Sequence, residues 1–127
     1  MILFTLTGTV VHGNHLGRTL GFPTANLDLP VEAVPPGEKG VYAVRVLHGQ
    51  NTYDGMGNIG YRPTIHENGF TVEVHLFGFS GDLYGEILTV DFVERIRDEL
   101  KFGSLAELTA RMHQDESMAR KILSGLL

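Results

Sequence analysis

Apolar and polar residues alternate in short runs over the first three quarters of the chain, and this period of two predicts strands rather than helices. Leu3 to Val11 reads as the first strand. Val41 to Leu47 follows the turn signal Pro35-Pro36-Gly37 and places Tyr42, Val44 and Val46 on one face. Thr52 to Gly60 is a weaker strand, interrupted by three glycines. Phe70 to Phe79 is a strong one, with Phe70, Val72, Val74 and Leu76 on one face, and Ile87 to Val93 follows the turn around Gly81-Asp82. After Phe102 the period lengthens to that of a helix. Ser104-Leu105-Ala106-Glu107 is a capping box, and Leu105, Leu108 and Met112 then recur at helical spacing. Asp115 is placed to cap a second helical stretch in which Met118, Ile122 and Leu123 share a face. Strands come first and helix last, and no helices stand between strands to make parallel crossovers. The pattern therefore predicts a mainly β fold, an antiparallel barrel with the helix laid on one end.

Composition narrows the setting. A chain of 127 residues, 43% of them apolar, can close one core, and no repeat or linker divides it, so a single domain over residues 1–127 is expected. The absence of cysteine excludes disulfides, thiolate metal sites and a cysteine nucleophile, and it fits a reducing, cytoplasmic setting. The first eleven residues carry no basic region or cleavage site, and the apolar runs fall far short of the roughly 20 residues a membrane helix needs. A soluble protein with no membrane partner is expected, and a monomer, since no long exposed apolar edge is evident. A net charge of −5 and a pI near 5.6 argue against nucleic-acid binding, which depends on Lys and Arg neutralising phosphate.

The distribution of charge is more telling than its sum. All fifteen acidic residues lie from Asp28 onward, while the first 27 residues carry Arg18, His12 and His15 as their titratable side chains. An acid-free segment with an arginine in an acidic protein is a candidate anion site, although chance clustering gives the same pattern. Within it, Gly13, Gly17 and Gly21 recur every four residues, a spacing that lets backbone N–H groups turn toward an anion. No Lys-Ser/Thr pair follows, so this is not a Walker loop. Pro23 fixes the backbone just before Thr24, and an extended chain puts the side-chain oxygens of Thr24 and Asn26 on one face. Two hard, neutral oxygens suit Mg2+ shared with nucleotide phosphates, but on the residues alone an ordinary turn with Asn26 bonding its own backbone is the favoured reading.

Glu73 sits at the centre of the strongest strand, on the face opposite Phe70, Val72, Val74 and Leu76. A carboxylate there suits a general base for a hydroxyl, or is simply a solvated residue of an outer strand face. Gly55-Met56-Gly57-Asn58-Ile59-Gly60 matches the dinucleotide fingerprint in letters, but Pro63 follows and holds Arg62 extended where the fingerprint must open a helix. A glycine-bent strand is the expectation instead. The six histidines include no H-E-x-x-H pair, and there is no G-x-S-x-G elbow.

Read together, GTVVHGNHLGRTLGFPTANL, GVYAVRV, NIGYRPT, VEVHLFGFSGDLYG and RIRDELKFGSLAEL resemble, in this order and almost from end to end, the riboflavin kinase family. The likeness is closest to the C-terminal kinase module of bacterial bifunctional FAD synthetases. It implies a six-stranded antiparallel Greek-key barrel with a C-terminal helix, transferring the γ-phosphate of ATP to the 5′-hydroxyl of riboflavin with Mg2+. By likeness Thr24 and Asn26 hold the metal, and Gly13, Gly17, Arg18, Gly21 and Pro23 join them around the nucleotide. Glu73 becomes the base, and Arg97, Lys101 and Phe102 fall in a loop between the last strand and the helix that closes over the flavin. The chain begins at the first strand of the barrel, without a preceding adenylyltransferase domain, so FMN rather than FAD is the expected product. A catalytically silent flavin- or nucleotide-binding barrel is the alternative.

Overall fold

The computed structural model describes residues 2–12, 20–61 and 69–125. Six strands close into one antiparallel barrel. In chain order they are β1 (Phe4–Val11), β2 (Ala25–Asp28), β3 (Gly40–His48), β4 (Asn51–Tyr61), β5 (Phe70–Leu76) and β6 (Ile87–Arg97), and helix α1 (Leu105–Ser124) follows. Around the barrel the order is β1-β2-β5-β4-β3-β6, so β6 returns beside β3 after the β3-β4-β5 meander, which is the Greek-key arrangement.

The period-two pattern explains the interior. Tyr42, Val44 and Val46 of β3, Ile59 of β4, Val74 of β5, and Leu88, Val90 and Phe92 of β6 are fully buried and fill the barrel. Gly57 points into the same interior, where an added Cβ would meet Val44 Cγ1 at 3.1 Å and Phe92 Cε2 at 3.2 Å. The glycine-rich stretch is thus part of a strand, and Gly57 makes room there for the Phe92 ring.

Strand β3 is buried on its outer face as well, because α1 covers it. Ala43 and Met56 point outward and join Phe22, Phe77, Ala119 and Leu123 in a second apolar layer between wall and helix. The helix therefore lies along the wall formed by β3, β4 and β6 rather than across an end of the barrel. It opens as expected, with Ser104 accepting from the Glu107 N–H at 3.2 Å, and Glu107 Oε2 accepting from the Gly103 N–H at 2.8 Å. It ends at Gly125, whose φ of 79° is the left-handed cap. There is no second helix start at Asp115. The helix runs through that residue, whose side chain is 3% exposed and bound to Arg97, so the carboxylate has no need of backbone N–H groups.

One buried polar residue ties the interior to pH. The Tyr42 hydroxyl lies 2.6 Å from Glu38 Oε2, and burial, reinforced by that carboxylate, pushes its pKa up to about 12. In the unfolded chain it ionises near 10, so between these values the folded state alone keeps the proton and stability falls as pH rises. Urea unfolding of the native protein should lose about 2 kcal/mol from pH 10 to pH 12 that Tyr42→Phe does not lose. Equal slopes for the two proteins would dismiss this source of alkaline instability.

Candidate active site

Strands β2 and β5 meet at Ala25–Val74 and Asn26–Glu73, and on its other side Glu73 stands opposite Asn58 of β4. Pleating turns Val72 and Val74 into the barrel, so Glu73 projects from the outer wall, half-buried. The residue just before β2 completes the group. Thr24, two positions from Asn26 and therefore on the same side, donates its hydroxyl to Glu73 Oε1 at 3.0 Å. Asn26 is buried, and Asn58 Oδ1 is a buried acceptor with no hydrogen-bond partner among the described residues. Such an acceptor waits for a donor that these residues do not supply.

Thr24, Asn26 and Glu73 thus converge from segments far apart in sequence, and the spacing of Thr24 and Asn26 had suggested only that these two share a face. Thr24 and Asn26 offer a set of hard oxygens, a hydroxyl and an amide, and the Glu73 carboxylate stands beside them. Because Thr24 gives its proton to Glu73, the lone pairs of Oγ1 stay available to a cation. The set fits Mg2+ held by a few protein oxygens and completed by water and phosphate, rather than a cage made by the protein alone.

Beside Thr24 and Asn26 lies a cavity of about 310 Å³, lined from β5 by Val74 and Leu76. Its walls include Pro23, Thr24 and Asn26, the end of β1 at Val11 and His12, and the segment from Phe79 to Tyr84. Over its rim the rings of His12 and Tyr84 stack at 3.9 Å, nearly parallel, and Asp82 shapes the turn by accepting from the Tyr84 N–H at 2.8 Å. The cavity does not include Glu73 in its lining. Thr24 and Asn26 therefore belong to the wall of the pocket, and the Thr24 hydroxyl links that wall to Glu73.

Of the other expected site residues, Gly21 has a φ of 89°, a left-handed turn that leads into Phe22 and Pro23. Gly13, Gly17 and Arg18 lie outside the described residues. Lys101 is exposed in the segment between β6 and α1, and Phe102 lies half-buried beside it. Arg97 departs from expectation. It is the last residue of β6, not a loop residue, and its guanidinium is 10% exposed against Asp115 of the helix. Nε lies 2.9 Å from Asp115 Oδ1 and Nη2 lies 2.8 Å from Oδ2, while Nη1 donates to the Asp98 carbonyl and the group stands 5.6 Å from the Phe102 ring centroid. Asp115 is invisible as a partner in sequence because eighteen residues separate the pair. Arg97 still shares a wall with Glu73, for Glu73, Asn58, Val41 and Arg97 form one cross-strand row over β5, β4, β3 and β6.

The Flavokinase family profile, described as riboflavin kinase, matches residues 2–123. The chain belongs to the riboflavin kinase family. Its relatives include the bifunctional riboflavin kinase/FMN adenylyltransferase of Haemophilus influenzae, 44% identical over 96% of this chain and 39% of that protein. The chain spans about two fifths of the length of that relative. Among solved structures, the riboflavin kinase of Trypanosoma brucei superposes with a TM-score of 0.72 at 28% identity, over 94% of this chain and 79% of that one. A Streptococcus pneumoniae chain described as a macrolide-efflux protein superposes at 0.80 with 38% identity, over 91% of this chain and 38% of that one. No helix among the described residues here is long and apolar enough to cross a membrane. Asp82, Leu83 and Tyr84, from the DLYG stretch quoted for the resemblance, line the cavity, although that likeness pointed to no single residue in advance.

Proposed function

We propose that this chain transfers the γ-phosphoryl group of ATP to the 5′-hydroxyl of riboflavin, giving FMN and ADP. The Thr24–Glu73 hydrogen bond supports this reading most directly, because it joins the rim of the cavity to a carboxylate on the outer wall. The nucleotide lies in the cavity against Pro23, with Gly13, Gly17, Arg18 and Gly21 contributing from the glycine-rich segment. Glu73, held by Thr24, orients the ribityl hydroxyl and accepts its proton as the oxygen attacks phosphorus in line with the departing ADP. Thr24 and Asn26 would hold Mg2+, which would offset charge on the phosphate oxygens. The flavin runs along the row from Glu73 toward Arg97, Lys101 and Phe102. The chain forms one domain that works in the cytoplasm and does not self-associate, a state favoured by the closed barrel, which offers no strand edge to a second copy.

Chromatography of a mixture of the protein, riboflavin and ATP tests the reading. FMN and ADP should appear in equal amounts with Mg2+ and vanish with EDTA. Riboflavin bound without any FMN would instead identify a silent binder. Thr24→Ala should raise the KM for Mg-ATP by about tenfold with little change for riboflavin, whereas equal losses for both substrates would remove Thr24 from the metal site.

A further inference from the structure

Between β2 and β5 the antiparallel ladder stops one residue short of Thr24. Extending the register from Asn26–Glu73 and Ala25–Val74 sets Thr24 opposite His75 and leaves Pro23 beyond it. Proline has no N–H, so the ladder cannot continue through it in the ordinary way. Its carbonyl is taken by a side chain instead: His75 Nδ1 lies 2.7 Å from Pro23 O. A carbonyl oxygen only accepts, so Nδ1 carries the hydrogen and His75 is the donor. That carbonyl belongs to the Pro23–Thr24 peptide unit, and a bond to it fixes the plane from which the Thr24 side chain departs.

The ring is itself held in place. His75 meets Phe22 edge-on at 5.4 Å and Phe77 at 5.6 Å, and Phe22, 3% exposed, also meets His113 of α1 at 4.9 Å. Every residue from Phe22 to Thr24 thus has its own fastening: Phe22 in the layer beneath the helix, Pro23 on His75, and Thr24 on Glu73. His75 and Glu73 come from the same face of β5, two residues apart, so one strand grips the turn at its carbonyl and at its hydroxyl.

We infer that His75 is a positioning residue for the metal–nucleotide turn, setting the Pro23–Thr24 peptide through its Nδ1–H so that Thr24 and Asn26 present their oxygens together. This rests on the assignment of Thr24 and Asn26 to Mg-ATP proposed above. The role is separable from packing, since the aromatic contacts need a ring and the carbonyl needs a donor. His75→Phe keeps a ring and loses the donor, whereas His75→Asn loses the ring and keeps an N–H that reaches about as far as Nδ1.

Binding of Mg-ADP by calorimetry and the KM values of both substrates read the difference. His75→Phe should weaken Mg-ADP and raise the KM for Mg-ATP about tenfold, the effect of one lost hydrogen bond on an oriented ligand, and leave riboflavin within about twofold. His75→Asn should restore Mg-ADP affinity to within about threefold of the native protein even though its thermal midpoint falls. Native Mg-ADP affinity in His75→Phe, or an equal loss for riboflavin, would overturn the role. Long-range 1H–15N NMR of the native protein provides a test independent of any variant: a protonated Nδ1 supports the assignment, and a bare Nδ1 ends it. Thr24→Ala, measured alongside, separates the two levels. If Thr24→Ala weakens Mg-ADP and His75→Phe does not, His75 alone is misassigned; if neither does, the metal-site reading falls with it.

Discussion

Glu73→Gln should lower kcat by about a thousandfold and leave riboflavin and Mg-ADP affinity within a few-fold of native, the pattern of a group that acts on the reacting hydroxyl alone. The substitution is conservative in every respect but one. Glutamine keeps the length of the side chain and an oxygen that can accept the Thr24 hydroxyl, the bond measured at 3.0 Å. It keeps the cross-strand places beside Asn26 and Asn58. What it loses is the capacity to receive a proton. Single-turnover measurement of FMN formation, with riboflavin binding followed by quenching of flavin fluorescence, separates the chemical step from binding. Native turnover in this variant would remove Glu73 from the reaction and leave it as a support for Thr24.

The second large effect is on the ion pair between the last strand and the helix. Asp115→Ala leaves Arg97, at 10% exposure, without its carboxylate, and Arg111, 3.6 Å from Asp115 Oδ1, does not fill the gap because it carries the same charge. Breaking a buried pair from one side typically costs about 3–5 kcal/mol, a large share of the stability of a small domain. Urea unfolding should show that loss. Removing both charges should not: an Arg97→Met, Asp115→Leu double variant replaces the pair by apolar groups and should recover most of the stability. Riboflavin affinity then becomes informative, for a flavin-binding Arg97 predicts a double variant that is stable yet binds riboflavin at least tenfold more weakly. A stable double variant with native affinity would make the pair purely structural.

Much of this architecture is written in the period of the sequence. The inward faces of β3 and β5 follow from alternation alone, and the start of α1 follows from Ser104 and Glu107. Strand β2 was legible only as an extended turn around Thr24 and Asn26, because four residues, Ala25–Asp28, are too few to show a period. Strand β6 runs on to Arg97 past the apolar run that marked it, as β3 and α1 cover a tail whose own residues are largely polar. Asp115 was misleading for a physical reason: an aspartate in a helical pattern most often serves a helix start, and its partner is set by tertiary packing. The same holds for the site. Thr24, Asn26 and Glu73 could be singled out by chemistry and likeness, but His75 and Asn58 acquire meaning only when β5 lies between β2 and β4.

Thr24 and Glu73 are separated by 49 positions, and the strand pairing that unites them joins two parts of the barrel distant along the chain. Hairpins such as β3-β4 form from neighbours in sequence, whereas β2 can find β5 only after a long loop has been closed. The chemistry is therefore assembled by one of the long-range pairings that close the cylinder. A chain that had folded its hairpins without that pairing would hold most of its native secondary structure and have no bond from Thr24 to Glu73, so catalysis is a stricter witness to complete folding than any measure of strand content.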